Sequence, residues 1–316
     1  MTTNITSRSS TTSLRSSIYD HVEEGGRTYH RYKDGKYPLP NDPQEQDRLD
    51  LQHALFLVTL NRNLHLAPIG PTPQNVLDIA TGTGIWAIEF AQQYPSAQIV
   101  GTDLSPIQPD YSLPPNCRFE IDDAEDEWTF DIKFNYVHGR ALLSCFRNPA
   151  SIIQKAFDSL APGGYLELQD GTFPFKYIGE PPKESSLYKW NEVVVAGAAK
   201  LGRPWTNAQH YKRWMEEIGF ADVVEINYYW PSSTWAKGSY YKQVARYWQA
   251  DILEGLEAIS LRVMKAMDWS VEEIQVLLAG VRNDIKDTSI HAYLPISVVY
   301  GRKPVDTCHI SKVIEA

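Results

Sequence analysis

The chain has few cysteines, too little positive charge for one class of partner, and no long apolar run. Cys117, Cys145 and Cys308 are far apart and form no CxxC pair. Neither a disulfide framework nor a zinc site is therefore expected, and no metal is expected. Lys and Arg number 30 against 39 Asp and Glu, a formal charge of −9. That balance excludes nucleic-acid binding through a basic surface. No apolar stretch is long enough to span a bilayer, so no membrane partner is expected. With a reducing compartment as the default, the cytoplasm is the expected location, with the nucleus as the alternative. What the chain does have is 316 residues, 43% of them hydrophobic. That is enough for one large α/β unit with a packed core.

Residues 1–20 are expected to be a disordered tail, rich in Ser and Thr. Ile5 and Leu14 are too few to give a targeting peptide an amphipathic face. Residues 21–73 read as a cap. They open with an aromatic, basic loop carrying Tyr29 and Tyr32. A helix follows, signalled by Asp42 as N-cap, Pro43 at its first position and Glu45 completing a capping-box pattern. The proline-rich "APIGPTP" closes this segment.

Residues 74–304 then alternate apolar runs with amphipathic ones. Strands are expected at 75–80, 97–104, 117–125, 134–142 and 165–170, with helices at 85–94 and from Asn148 to about Leu160. This rhythm predicts a mostly parallel, doubly wound sheet. The rhythm changes after the fifth strand. Helical insertions are expected at about 175–205 and 235–288, a further helix is capped by Asn207 and stopped by Gly219, and strands return at 221–230 and 289–303. Residues 305–316 are a C-terminal tail.

The first strand runs into Thr81-Gly82-Thr83-Gly84. Glycines at this place let the backbone turn tightly and let a ligand approach. The spacing also fits a dinucleotide fingerprint, with Ala87 third and Asp103 ending the second strand. Asp78 shifts the choice. A carboxylate beside the turn is poorly placed for a pyrophosphate and well placed for an ammonium. S-adenosylmethionine (SAM) has an ammonium and a sulfonium and no phosphate. Asp103 suits ribose hydroxyls under either reading. Asp122 and Asp123, ending the third strand, can accept an adenine amino proton. Glu125, Asp126 and Glu127 read as a solvated acidic turn.

The segments "YPLPNDPQEQDRLDLQH", "LHLAP", "VLDIATGTGIWAIEFA", "IVGTDLSPIQP", "NCRFEIDDAEDEWTF", "LAPGGYLELQD", "LGRPW" and "SIHAYLPISVVYGRKP" resemble a known family. Together they are similar to the class I SAM-dependent methyltransferases, and most to the fungal secondary-metabolism group that includes the LaeA-like methyltransferases. The resemblance implies a Rossmann-like, seven-stranded sheet whose last strand is antiparallel. It implies SAM at Asp78, Gly82, Gly84, Asp103 and Asp123. Ala80, Thr81, Leu104, Asp122, Ala124 and His138, their neighbours at the same strand ends, are further expected cofactor contacts. It also implies that the N-terminal segment closes the cofactor pocket.

Methyl transfer from a sulfonium needs positioning and desolvation, and a base only when the acceptor must lose a proton. His138 and Arg140 lie beyond the fourth strand and are the candidate catalytic residues, with Arg140 also a candidate clamp for a carboxylate. Tyr29, Tyr32, Trp190, His291 and Tyr293 are the candidate acceptor contacts. The acceptor is expected to be a small, aromatic or apolar natural product. Its pocket is expected between the turn after the fourth strand, the cap and the aromatic insertions. Two alternatives stay open: a LaeA-like regulator acting through protein partners, and SAM-dependent catalysis of a rearrangement without methyl transfer.

Overall fold

The computed structural model describes residues 20–305. The expected tails 1–20 and 305–316 lie outside the described residues apart from Asp20 and Val305.

Strands β3 (Asn75–Ile79), β4 (Gln98–Asp103), β5 (Cys117–Ile121), β6 (Phe134–Arg140) and β7 (Leu160–Gly171) are mutually parallel. β10 (Ala292–Arg302) pairs antiparallel with β7 on one side and with β9 (Ala221–Pro231) on the other. The order across the sheet is β5-β4-β3-β6-β7-β10-β9, with the two-residue β8 (Lys176–Tyr177) added against the start of β10. This is the seven-stranded pattern with a reversed last strand. The chain leaves β3 in one direction for β4 and β5 and in the other for β6 and β7. The switch point therefore lies between β3 and β6, and a cleft forms beyond their carboxyl ends.

Alternation along β3 shows why the sheet is covered on both faces. Val76 packs with Trp86, Ala87 and Phe90 of α2 (Ile85–Gln93), whereas Leu77 and Ile79 face Ile152, Ile153 and Ala156 of α3 (Pro149–Ser159). A third apolar cluster joins α1 (Pro43–Thr59) to the additions α4 (Ser186–Lys200), α6 (Ser239–Lys265) and α7 (Val271–Lys286). Most of the tryptophans sit there, Trp190, Trp205, Trp230 and Trp248 among them.

Two local expectations are corrected. The N-cap of α1 is Asp42, which accepts from Glu45 N–H at 3.0 Å, but the box is not completed. The Glu45 side chain is buried and turns to Arg48, accepting at 2.7 and 3.0 Å. Charge pairing in a buried place outweighs a second cap bond. Asn207 does not cap a helix either. It opens a 3₁₀ turn (Asn207–His210) that leads into α5 (Tyr211–Ile218), and its side chain donates to Pro204 O. The loop expected around Tyr29 contains a short hairpin, β1 (His21–Glu24) and β2 (Arg27–His30).

Candidate functional site

A cleft opens to solvent beyond the carboxyl ends of β3, β4, β5 and β6. Asp78, Ala80, Thr81, Gly82, Asp103, Leu104, Asp122, Asp123, Ala124, His138 and Arg140 all line it. Tyr37, Asn41, Glu45, Leu49 and Gln52 of the cap close its other side.

Each side chain has a definite place. Asp78 is nearly fully buried and accepts at Oδ1 from His138 Nδ1, 2.7 Å away across paired strands, while Thr81 Oγ1 donates to its Oδ2. The His138 ring lies flat on Trp86, with centroids 3.7 Å apart and planes at 7°. Asp103 accepts Gly82 N–H at 2.9 Å and Ser105 N–H at 2.8 Å, one on each oxygen. Burial pushes its carboxyl up to about 6. Gly82, at φ +59°, makes the turn a residue with a side chain rarely makes. Arg140 donates to His53 Nδ1 at 2.8 Å and sits over the Phe56 ring at 4.9 Å. Burial lowers its guanidinium to about 10, with Asp78 and Glu89 opposing that shift. Among the described residues no carboxylate lies within ion-pair distance of Arg140. A part-buried cation whose direct neighbours are a neutral imidazole and an aromatic ring can receive an anion. His53 is that neutral imidazole, lowered to about 3 by burial and by Arg140. Its Nε2 stands 3.0 Å from Glu89 without hydrogen-bond alignment.

Residues 48–225 match the methyltransferase-domain family. A methyltransferase of Aspergillus terreus, pytC, is 36% identical over 299 residues, covering 94% of this chain and 92% of that protein. The secondary metabolism regulator laeA of Aspergillus fumigatus is 32% identical over 301 residues, covering 94% of this chain and 80% of that one. Among solved structures, a phosphoethanolamine N-methyltransferase of Haemonchus contortus in complex with S-adenosyl-L-methionine superposes with a TM-score of 0.53 at 14% identity, covering 93% of this chain and 73% of that one. That likeness concerns the fold.

The chain belongs to the SAM-dependent methyltransferase family.

The residues in the methyltransferase cleft fit that cofactor. Asp78 offers a carboxylate to an ammonium, Arg140 an unpaired guanidinium to a carboxylate, and Asp103 the free lone pairs of its oxygens to a pair of hydroxyls. These polar groups converge beside the Gly82 turn.

Four expectations about this site change. Gly84 is at the turn but does not line the cleft. It caps α2 at φ +81°, and a Cβ there would stand 2.4 Å from the Phe119 ring. Its glycine serves helix–sheet packing. Asp123 faces the cleft, yet its carboxylate is ion-paired by Lys33 and Lys36 of the cap and accepts Glu125 N–H. Burial, the largest single effect, pushes its pKa up, but the two lysines and the Glu125 N–H together hold it below the usual carboxylate range. It therefore anchors the cap, and Asp122 is the carboxylate less committed to protein partners at this strand end. The following acidic turn is likewise no free solvated run: Glu125 pairs with Lys36 and Arg203, Asp126 with Lys33. His138 has no exposed surface, and burial lowers its pKa. Its Nδ1 is taken up by Asp78 and its ring by Trp86, whereas a base must reach the acceptor.

The five acceptor candidates do not meet. Tyr29 is buried under Arg262, whose guanidinium lies 3.6 Å from its ring centroid. Tyr32 lies half-buried after the hairpin, near the acidic turn. Trp190 is in the core and donates to Ser260 Oγ at 2.8 Å. His291 is exposed and packs on Trp235, and Tyr293 packs edge-on against Tyr229. A second, smaller recess opens beside the first, sharing Tyr37, Leu49, Gln52 and Ala141 with it. Its walls include Phe56, Leu143, Phe173, Trp230, Trp248 and Leu294. The recess is lined by the cap, the turn after β6 and the aromatic additions. The individual residues are others, because helix α1 and the end of β9 supply surfaces that sequence order does not reveal.

Proposed function

We propose that the protein methylates a small, apolar or aromatic natural product, with the acceptor entering the recess beside the cofactor cleft. The observation that carries this reading is the pairing of Asp78 with Arg140 in one cleft, complementary to the amino-acid end of the cofactor. Bound SAM supplies a methyl group already activated on a sulfonium. The protein's part is then to hold and to dry the site. Asp78, fixed by His138 and Thr81, orients the ammonium. Arg140, braced on His53 and Phe56, receives the carboxylate. The cap, anchored by Lys33 and Lys36 on the acidic turn, excludes water from above. The relatives' names favour secondary metabolism as the setting, pytC as a methyltransferase and laeA as a regulator. A regulatory role through protein partners is the second reading, favoured by the laeA similarity.

The experiment is to incubate the protein with methyl-labelled SAM and metabolite extracts of a fungal host, and to follow label by mass spectrometry. A labelled small molecule that depends on the protein supports the first reading. Label found only on protein, or none despite SAM binding, supports the second.

A further inference from the structure

One sequence motif lies outside both the cleft and the recess yet reaches the wall they share. The turn after β6, residues 141–146, puts Ala141, Cys145 and Phe146 on the cofactor cleft and Ala141 and Leu143 on the recess. Its backbone is strained. Ala141 stands at φ +53° and Ser144 at φ +64°, in the left-handed region that residues with a side chain seldom occupy. Such conformations persist only where surrounding groups hold them, and they cluster at functional sites.

The groups that hold this turn come from "LGRPW", residues 201–205, in the loop after α4. Arg203 is buried, and its Nη1 donates to Ser144 O at 3.3 Å and to Cys145 O. Its Nη2 donates to Glu125 Oε2 at 3.4 Å. Trp205 Nε1 donates to Ser144 Oγ. The clamp is itself fixed. Arg203 N–H donates to Ala198 O at 3.0 Å, and Trp205 O accepts Phe173 N–H at 3.2 Å. The indole packs edge-on against Phe173, with centroids 5.0 Å apart. Neither Arg203 nor Trp205 lines the cleft or the recess.

Glu125 extends the link. It accepts Arg147 N–H at 2.7 Å and pairs with Lys36 of the cap at 3.3 Å. One guanidinium thus joins the turn after β6 to the acidic turn after β5 and, through one carboxylate, to the cap. A planar fork of several donors suits that task, whereas the single ammonium of a lysine is a point charge.

We propose that Arg203 and Trp205 are positioning residues of the methyltransferase site: they hold the turn after β6 in its left-handed form, so that it presents a fixed wall to the bound cofactor.

Two cysteines give the test its readout. Cys145 lies in the clamped turn and Cys117 in β5, so they report local and general opening separately. The full-length protein is treated with N-ethylmaleimide, and the label on each cysteine is followed by peptide mass spectrometry with and without S-adenosylhomocysteine. In the wild type, burial pushes the Cys145 thiol up, so labelling should be slow, and the ligand should slow it further. Arg203→Lys should speed Cys145 labelling about tenfold, leave Cys117 unchanged and weaken S-adenosylhomocysteine about tenfold, the worth of one charge-assisted hydrogen bond. Ser144→Ala removes only the oxygen that Trp205 holds. It should move both readouts the same way by about threefold, the worth of one neutral hydrogen bond, and it carries the test if the Arg203 variant folds poorly. Unchanged Cys145 labelling, labelling that rises equally at Cys117, or faster Cys145 labelling with unchanged S-adenosylhomocysteine affinity would overturn the proposal.

Discussion

Asp78 Oδ1 and His138 Nδ1 meet at 2.7 Å across the switch point of the sheet, where β3 and β6 run side by side. The pair joins a carboxylate that lines the cleft to a stacked, fully buried imidazole. His138→Ala leaves Asp78 without its fixed donor and opens a cavity under Trp86. S-adenosylhomocysteine affinity should fall about tenfold. His138→Asn, which can still donate to Asp78, should recover most of it. The pH profile of turnover should not move in either variant, because the imidazole does not take the acceptor's proton. Calorimetry together with a pH–rate profile checks this.

Arg140 has no carboxylate partner in the protein among the described residues. Arg140→Ala should weaken S-adenosylhomocysteine by at least about tenfold, the loss of one charge-assisted pair. The same variant should bind 5′-methylthioadenosine as the wild type does, since that molecule lacks the amino-acid end. Equal weakening of both would mean that Arg140 supports the fold of the cleft and not its ligand.

Asp103 gives the pH dependence. Its carboxyl is raised to about 6 by burial. For the ligand-free fold, the ionised form is therefore a cost that grows as pH rises from the ordinary carboxylate range through that value. Hydroxyl donors favour the ionised form, so ligand binding has the opposite sign. Affinity for S-adenosylhomocysteine should be flat above about pH 7 and fall as pH drops through about 6, by no more than about tenfold per unit. Asp103→Asn should bind more weakly at neutral pH and lose this slope.

Lys33 and Lys36 tie the cap to Asp123, Glu125 and Asp126. These lysines are partly exposed, so the ties add little to global stability. Lys33→Glu with Lys36→Glu should shift Tm only slightly. Amide exchange over residues 28–42 should nevertheless rise, and cofactor dissociation should quicken. Unchanged exchange there would show that the hairpin and α1 hold the cap without the lysines.

Much of the site was legible because strand ends have a strong signature. The apolar run at 75–80 leading into the glycine turn, Asp103 ending the second run and Asp122–Asp123 ending the third located three strand ends and one cleft. The acceptor side was not legible in the same way. Trp190 and Tyr29 have the composition of a pocket wall, but a helix inserted late in the chain buries the first and Arg262 covers the second. Truncating Trp190 should consequently cost stability, about 3–5 kcal/mol, rather than raise an acceptor KM. At Gly84 close packing on Phe119 by itself calls for a glycine. Nothing local in the sequence marks Lys33 and Lys36 as partners of an acidic turn some ninety positions away.

Calorimetric titration of S-adenosylhomocysteine into the wild-type protein tests the central claim most directly, with NAD titrated in parallel. One molecule of S-adenosylhomocysteine should bind per chain, Arg140→Ala and Asp103→Ala should each weaken it, and NAD should give no binding heat. Tight NAD binding with no response to S-adenosylhomocysteine would contradict the account.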